Sequence, residues 1–285
     1  MKKLVFGQTG QVARCLQEQC LAEQGWTFLD RKTADLSQPE ACREAVLNHR
    51  PDIVINAAAW TAVDAAETDE PAATVVNGDA PGAMAEACAD LNIPICHISS
   101  DYVFDGQGST PFRPDDAPAP LGAYGRSKLA GEVAVRNSGA RHLILRTSWV
   151  VSAYGANFVK TMLRLGAERP ELKVVSDQIG GLTPAAAIAT ALRVAAKQMC
   201  DGHSGGTYHF AGAPDASWAD IARAIMAEAG LPCVIKDIPS TDYPTPARRP
   251  LNSRLDCTSL YQDFGIERPD WRKGLGDILK DLNVR

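Results

Sequence analysis

An α/β fold is predicted here: a doubly wound parallel sheet followed by a smaller C-terminal α/β substrate lobe. Three observations predict it. Five short, nearly unbroken apolar runs recur through the first half, each separated from the next by a longer helical pattern. A glycine turn joins the first run to the first helix. After residue 150 the alternation gives way to a less regular stretch rich in proline. Continuous apolar runs, rather than alternating ones, belong to strands covered on both faces.

The strands read as "KKLVFG" (2–7), "WTFLD" (26–30), "DIVINAA" (52–58), "PICHISS" (94–100) and "HLILRTSW" (142–149). Helical patterns fall over 10–23, 39–49, 80–91 and 124–137. The order β-α-β-α-β-α-β-α-β predicts right-handed crossovers. Further on, "ELKVVSD" (171–177) and "GTYHFAG" (206–212) read as strands. The alanine-rich 183–199 reads as a helix with Thr183 as its cap and Pro184 in its first turn, and 217–230 as a helix capped by Ser217 and stopped by Gly230. The loop 238–255 holds too many prolines for regular helix. The expected division is 1–150, with helix 183–200, as the dinucleotide-binding domain, and 151–182 with 201–285 as the lobe.

Composition narrows the class. With 285 residues, 45% of them hydrophobic and 22% charged, the chain can bury a sizeable core. A net charge of −5 and the lack of a basic run argue against nucleic acid as a partner. Cysteines at 15, 20, 42, 88, 96, 200, 233 and 257 form no C-x-x-C pair, so no zinc ribbon or redox dithiol is suggested. The four-residue apolar run before Gly7 is too short for a signal peptide, and no stretch is long enough for a membrane span. A cytoplasmic protein is expected.

"LVFGQTGQVARCL" places Gly7, Gly10 and Ala13 between strand and helix. Glycine permits the tight turn and a close approach of backbone to a pyrophosphate. The small third residue lets the helix lie against the sheet, and the helix start offers free N–H groups to the phosphates. Gln11 and Val12 open that helix. Asp30 ends the second strand, where a carboxylate can hold a ribose hydroxyl. Arg31 and Lys32 follow it and suit a 2′-phosphate instead, so NADPH or NADH stays open. Asp35 and Leu36, further along the same connection, and Ala57, Ala58, Ala59 and Thr61, after the third strand, are further candidate cofactor contacts, as are Ser99, Tyr124 and Lys128, whose ammonium could also hold the nicotinamide ribose. A tight turn that binds nothing is the alternative, and the strand, helix and acidic context weigh against it.

"AYGRSKLAGE" (123–132) sets Tyr124 four residues before Lys128, on one helix face. A ketone reductase needs a proton donor besides its hydride. A nearby ammonium stabilises a phenolate and lowers the phenol's pKa. A hydroxyl at a strand end would complete the contact with the carbonyl, and Ser99 and Ser100 stand at the end of the fourth strand. Ser100 is the candidate for the reacting oxygen and Ser99 for the cofactor. His97 and His209 lie in strand patterns and read as core histidines. Arg248, Arg249 and Arg254, in "PARRPLNSRL", suit a diphosphate clamp or a salt-bridged surface loop equally, taken singly.

Together, "FGQTGQV", "NAAAWTAVDAAE", "SSDYVFDG", "YGRSKLAGE", "RTSWV", "NFVKTMLRL" and "YPTPARRPLNSRL" resemble the extended short-chain dehydrogenase/reductases, and within them the dTDP-4-dehydrorhamnose reductase family. The stretches cover nearly the whole chain in family order. The resemblance implies a Rossmann-like fold and NAD(P)H-dependent reduction of the C4 ketone of dTDP-4-dehydro-L-rhamnose. It implies Tyr124 as proton donor, Lys128 as its partner, Ser100 where the family usually has Thr, and Asp101 and Trp149 beside the sugar. Asn157 and Lys160 are candidates for the nucleotide sugar, and the arginine loop tilts toward substrate. Trp60 stands where a His is familiar. Some relatives join as dimers through a metal held by carboxylates; here those positions are Cys15 and Ala186. No metal site is expected, and a monomer or weak homodimer is. Two rivals are a reductase or epimerase for another 4-keto-6-deoxy sugar nucleotide, and a non-catalytic regulatory subunit of the same fold.

Overall fold

The structure is a computed structural model that describes residues 1–284. The five predicted apolar runs form β1 (Lys3–Phe6), β2 (Trp26–Leu29), β3 (Ile53–Asn56), β4 (Ile95–Ser100) and β5 (His142–Thr147). A sixth strand, Gly205–Phe210, pairs with β5, and the sheet runs in the order Gly205–Phe210, β5, β4, β3, β1, β2, parallel throughout. The run at 206–212, expected in the substrate lobe, thus belongs to the main sheet at its edge.

Strand alternation explains why the runs are continuously apolar. Val5, Ile53, Ile55, Cys96, Leu143 and Leu145 face one layer, built from α1 (Gln11–Gln19) and the helix Ala185–Cys200. Leu4, Phe6, Val54, Ile95 and Ile144 face the other, built from α2 (Pro39–His49) and the helix Ala80–Asp90. Every residue of the central strands β1 and β3 is buried, whichever way it points, while the edge strand β2 is only partly covered. Ala13, on the inner face of α1, is fully buried, and its small side chain lets that helix lie close to the sheet.

The lobe has its own core, in which Val159 and Met162 of helix Phe158–Glu168 and Ile221 and Ile225 of helix Trp218–Glu228 meet Trp271 and Leu275. Strand Glu171–Val175 pairs with Val234–Ile238 at its side. Ser217 caps its helix in a capping box with Asp220, as its position predicted. Thr183 caps nothing. Pro184 occupies the N-cap position, and the Thr183 hydroxyl donates to the Gly181 carbonyl at 3.1 Å and accepts from the Gly212 N–H at 3.2 Å. Thr183 and Pro184 instead form a short strand beside Val150–Val151, tying the lobe back to the end of β5.

Candidate active site

The site forms where β1, β3, β4 and β5 end, the edge at which ligands bind in open parallel sheets. Gly7 adopts a φ of +105°, and a Cβ there would lie 2.9 Å from the Ala58 nitrogen. Only glycine fits that turn. Gly10 precedes α1 with no side-chain cap, and the first turn of α1 carries no acidic residue. The helix start therefore suits an anion. Asn56, fully buried, sets the wall opposite: its Oδ1 accepts the Ala58 N–H at 3.1 Å and its Nδ2 meets His97 Nδ1 at 3.1 Å. Burial, with the Lys128 charge, holds His97 neutral, well below its ordinary range.

Asp30 closes the turn after β2. Its Oδ1 accepts from the Lys32 and Thr33 N–H groups and the Thr33 hydroxyl, at 2.9–3.0 Å. Chiefly the Thr33 bonds hold its carboxyl below the ordinary range. Arg31 is exposed and pairs with Asp35 at 3.1 Å, while Leu36 packs into the core. Ala59 and Thr61 are exposed, and Ala57 and Ala58 half-buried. A glycine cradle without a competing side chain, followed by an acidic turn at β2, fits a dinucleotide.

Tyr124 and Lys128 lie in the first half of the helix Ala123–Asn137. Two of its glycines let it approach closely: a Cβ on Gly125 would run into the Tyr102 carbonyl oxygen, and one on Gly131 into the Asn77 carbonyl oxygen. Asn77, in a π-helical turn, exchanges hydrogen bonds with the Trp60 backbone at 2.8 and 3.0 Å and donates to Ser127 at 3.0 Å. The Tyr124 ring meets Tyr102 edge-on at 5.3 Å.

The expected electrostatics need correction. Lys128 Nζ donates to the Ile98 carbonyl at 2.8 Å. The Tyr124 phenol is pushed up to about 12, first by burial and then by the Asp101 charge, with only the Ser100 hydroxyl pulling it down. Burial lowers Lys128 itself to about 8, against the pull of Glu132. Desolvation outweighs the one-turn spacing that suggested a lowered phenol.

Ser100 and Ser99 separate, because neighbours in a strand face opposite ways. Ser100 Oγ donates to Asp101 Oδ1 at 3.0 Å and accepts the Tyr102 N–H at 3.2 Å. Ser99 Oγ donates instead to Glu132 at 2.6 Å, inside the protein, so its hydroxyl is occupied away from the strand end. Asp101 is buried and raised to about 6 by that burial; its Oδ2 lacks a hydrogen-bond partner, as does the nearby Ser253 hydroxyl.

Trp149 follows β5 with a φ of +51°, a left-handed backbone that a bulky residue rarely adopts. Its ring stacks on Trp218 at 3.8 Å and lies over Gly180. Asn157 caps its helix with Oδ1, while Nδ2 donates to Gln11 Oε1 at 3.1 Å and to the Ser152 carbonyl at 2.7 Å. That side chain is occupied as a cap and a tie rather than aimed at a nucleotide. Lys160 Nζ donates to the Ala153 carbonyl at 3.2 Å.

The three loop arginines part company. Arg249 binds Asp64 at 2.8 Å and lies against Tyr102, which places it at the site. Arg254 pairs with Asn252 and Asp215 on the lobe, and Arg248 is exposed. Asp64, Tyr102, Trp218, Glu132 and Arg146 were missed by sequence reasoning. Glu132 alone carried a signal, being one turn beyond Lys128.

The family model described as RmlD substrate binding domain matches residues 1–284. The chain belongs to this family. RmlD relatives named dTDP-4-dehydrorhamnose reductase include one from Burkholderia thailandensis, 44% identical over 99% of both chains, and one from Sinorhizobium fredii, 42% identical over 96% of this chain and 95% of that one. The solved dTDP-4-dehydrorhamnose reductase of Clostridium acetobutylicum superposes with a TM-score of 0.94 at 32% identity, over 99% of this chain and 100% of that one. The Bacillus anthracis enzyme, solved in complex with NADP, gives a TM-score of 0.92 at 32% identity over the same shares. The RmlD fold is thus the doubly wound sheet with its C-terminal lobe described above.

Proposed function

We propose that the protein reduces the C4 ketone of dTDP-4-dehydro-L-rhamnose to dTDP-L-rhamnose with NADPH or NADH. The observation that carries the reading is the meeting of Tyr124, Ser100 and Asp101 at the end of β4, beside a glycine cradle, in a chain of the RmlD family. Gly7, Gly10, Gln11 and Val12 would hold the pyrophosphate, and Asp30 a ribose hydroxyl. The bound dihydronicotinamide supplies the hydride that the carbonyl carbon accepts.

The chain's own residues handle the proton. A phenol raised to about 12 is fully protonated at neutral pH, so Tyr124 is ready to donate to the carbonyl oxygen. The Ser100 hydroxyl, turning its one proton from Asp101, would stabilise the phenolate left behind. Lys128, positive below about pH 8, brings a cation to the same helix one turn beyond the phenol. Trp149 walls the sugar, and Arg249 faces its diphosphate. We also propose that residues 1–150 with helix 183–200 bind the dinucleotide, that 151–182 and 201–285, apart from the edge strand, bind the sugar nucleotide, and that the enzyme works in the cytoplasm as a monomer or weak homodimer. None of the helices among the described residues is long and apolar enough to cross a membrane.

The test is to incubate purified protein with dTDP-4-dehydro-L-rhamnose and each reduced cofactor in turn. Loss of reduced nicotinamide with formation of dTDP-L-rhamnose is expected. Turnover only with another 4-keto sugar nucleotide, or with none, overturns the reading.

A further inference from the structure

One buried charged cluster takes no part in the steps above. Glu132 lies one helical turn beyond Lys128 and is fully buried. Its carboxylate accepts from Arg146 Nε at 2.8 Å and Nη2 at 2.7 Å, from Ser99 Oγ at 2.6 Å and from Arg136 Nη1 at 3.1 Å. Burial works to raise its pKa, but the bonds and charges of Arg146, with Ser99 and Arg136, hold it below the ordinary range. Arg146, 2% exposed, also donates to the Pro114 carbonyl at 3.1 Å and lies over the Phe104 ring at 4.9 Å. A buried ion pair gives little net stability over apolar residues of the same size. Stability alone is a weak reason for this cluster.

Its position supplies a better one. Ser99 stands between Ile98, whose carbonyl holds the Lys128 ammonium, and Ser100, which faces the phenol. Through one carboxylate, the helix bearing Tyr124 and Lys128 is bound to the end of β4 and to β5. We infer that Glu132 is a positioning residue for the reductive step: it fixes the register between Lys128 and the end of β4 and sets a buried negative charge one helical turn from that ammonium.

The surroundings of Lys128 are consistent with this role. Tyr124 and Glu132 flank it on its own helix. His97, from β4, is neutral, so it offers no counter-charge. Arg146, from β5, and the outer Arg136 bring only positive charge. Asp101, at the β4 end, faces Tyr124. Glu132 is the carboxylate that opposes the loss of the Lys128 proton to burial.

The inference rests on the reductase reading for its kinetic arm only. In full-length protein carrying 13C-labelled lysine, the Lys128 titration is followed by NMR, assigned with Lys128→Arg. In Glu132→Gln it is expected to move down by about one pH unit or more, because the carboxylate that opposes the desolvation of Lys128 is then lost. The alkaline limb of kcat is expected to move with it, and KM for the sugar nucleotide to change less than kcat. A Glu132→Gln protein that folds with the Lys128 titration in place overturns the inference, whatever its activity, and marks the cluster as structural. If Glu132→Gln does not fold, Arg146→Met decides: Glu132, still bonded to Ser99 and Arg136, is expected to move the titration upward, and no movement overturns the inference. Wild-type protein inactive on dTDP-4-dehydro-L-rhamnose sinks the functional reading, while the NMR titration still decides the role of Glu132.

Discussion

The cations behind the sheet end and those of the arginine loop sit in different settings. Lys128 and Arg146 are each 2% exposed, with every bond made to strand carbonyls, Glu132 or a histidine ring, apart from the Pro114 carbonyl. The arginine loop beyond the sheet is looser: Arg248 is exposed, while Arg249 keeps 22% of its side chain accessible and holds a half-buried Asp64. In the first region desolvation moves Tyr124 and Lys128 far from their ordinary range; in the second, solvent screens the exposed Arg248, and Arg249 only in part, since its Nη1 is buried. The proposed chemistry thus falls where charges cannot relax, and the proposed ligand recognition where they are more exposed.

Perturbing the buried region should have the larger effects. Tyr124→Phe is expected to lower kcat by about 10²–10⁴-fold with cofactor affinity kept, measured by steady-state kinetics and dinucleotide titration. Next comes Gly131→Ala. The new methyl meets the Asn77 carbonyl, so a loss of about 1–3 kcal/mol is expected in denaturant unfolding. Arg249→Ala, in the looser region, should raise KM for the sugar nucleotide roughly 10- to 100-fold with a smaller change in kcat. Arg248→Ala should change KM by less than about threefold. A large effect of Arg248→Ala beside a small one of Arg249→Ala would invert the comparison.

Acidity separates activity from stability in the buried region. Activity that needs charged Lys128 should fall as pH rises through about 8. The unfolded lysine keeps its proton to about 10.5, so between these values the unfolded chain binds more protons than the folded one. The contribution of Lys128 to stability should therefore grow over the window in which activity declines. Parallel pH series of kcat and of the unfolding midpoint check this.

The sheet was legible because its strands are apolar on both faces, and the glycine turn because Gly7 needs a conformation other residues avoid. Ser217 and its Asp220 were legible for a simpler reason: the cap is local. What escaped was set by distant partners. Thr183 reads as a cap until Gly181 and Gly212 occupy its hydroxyl. Ser99 reads as a cofactor contact until strand alternation turns it to Glu132. Spacing put Tyr124 and Lys128 on one face, but it carries no information on dehydration, which sets the direction of the phenol's shift. Asp64 and Arg249, 185 residues apart, meet only through the fold.

The Gln11 side chain has a consequence of its own. It opens the helix that would receive the pyrophosphate, yet its oxygen takes hydrogen bonds from Ser152 and Asn157, at the start of the lobe. One amide is thereby shared by two halves of the molecule. Removing that amide would therefore free both the start of α1 and Asn157, the cap of the lobe's leading helix, so one side chain ties the two halves together.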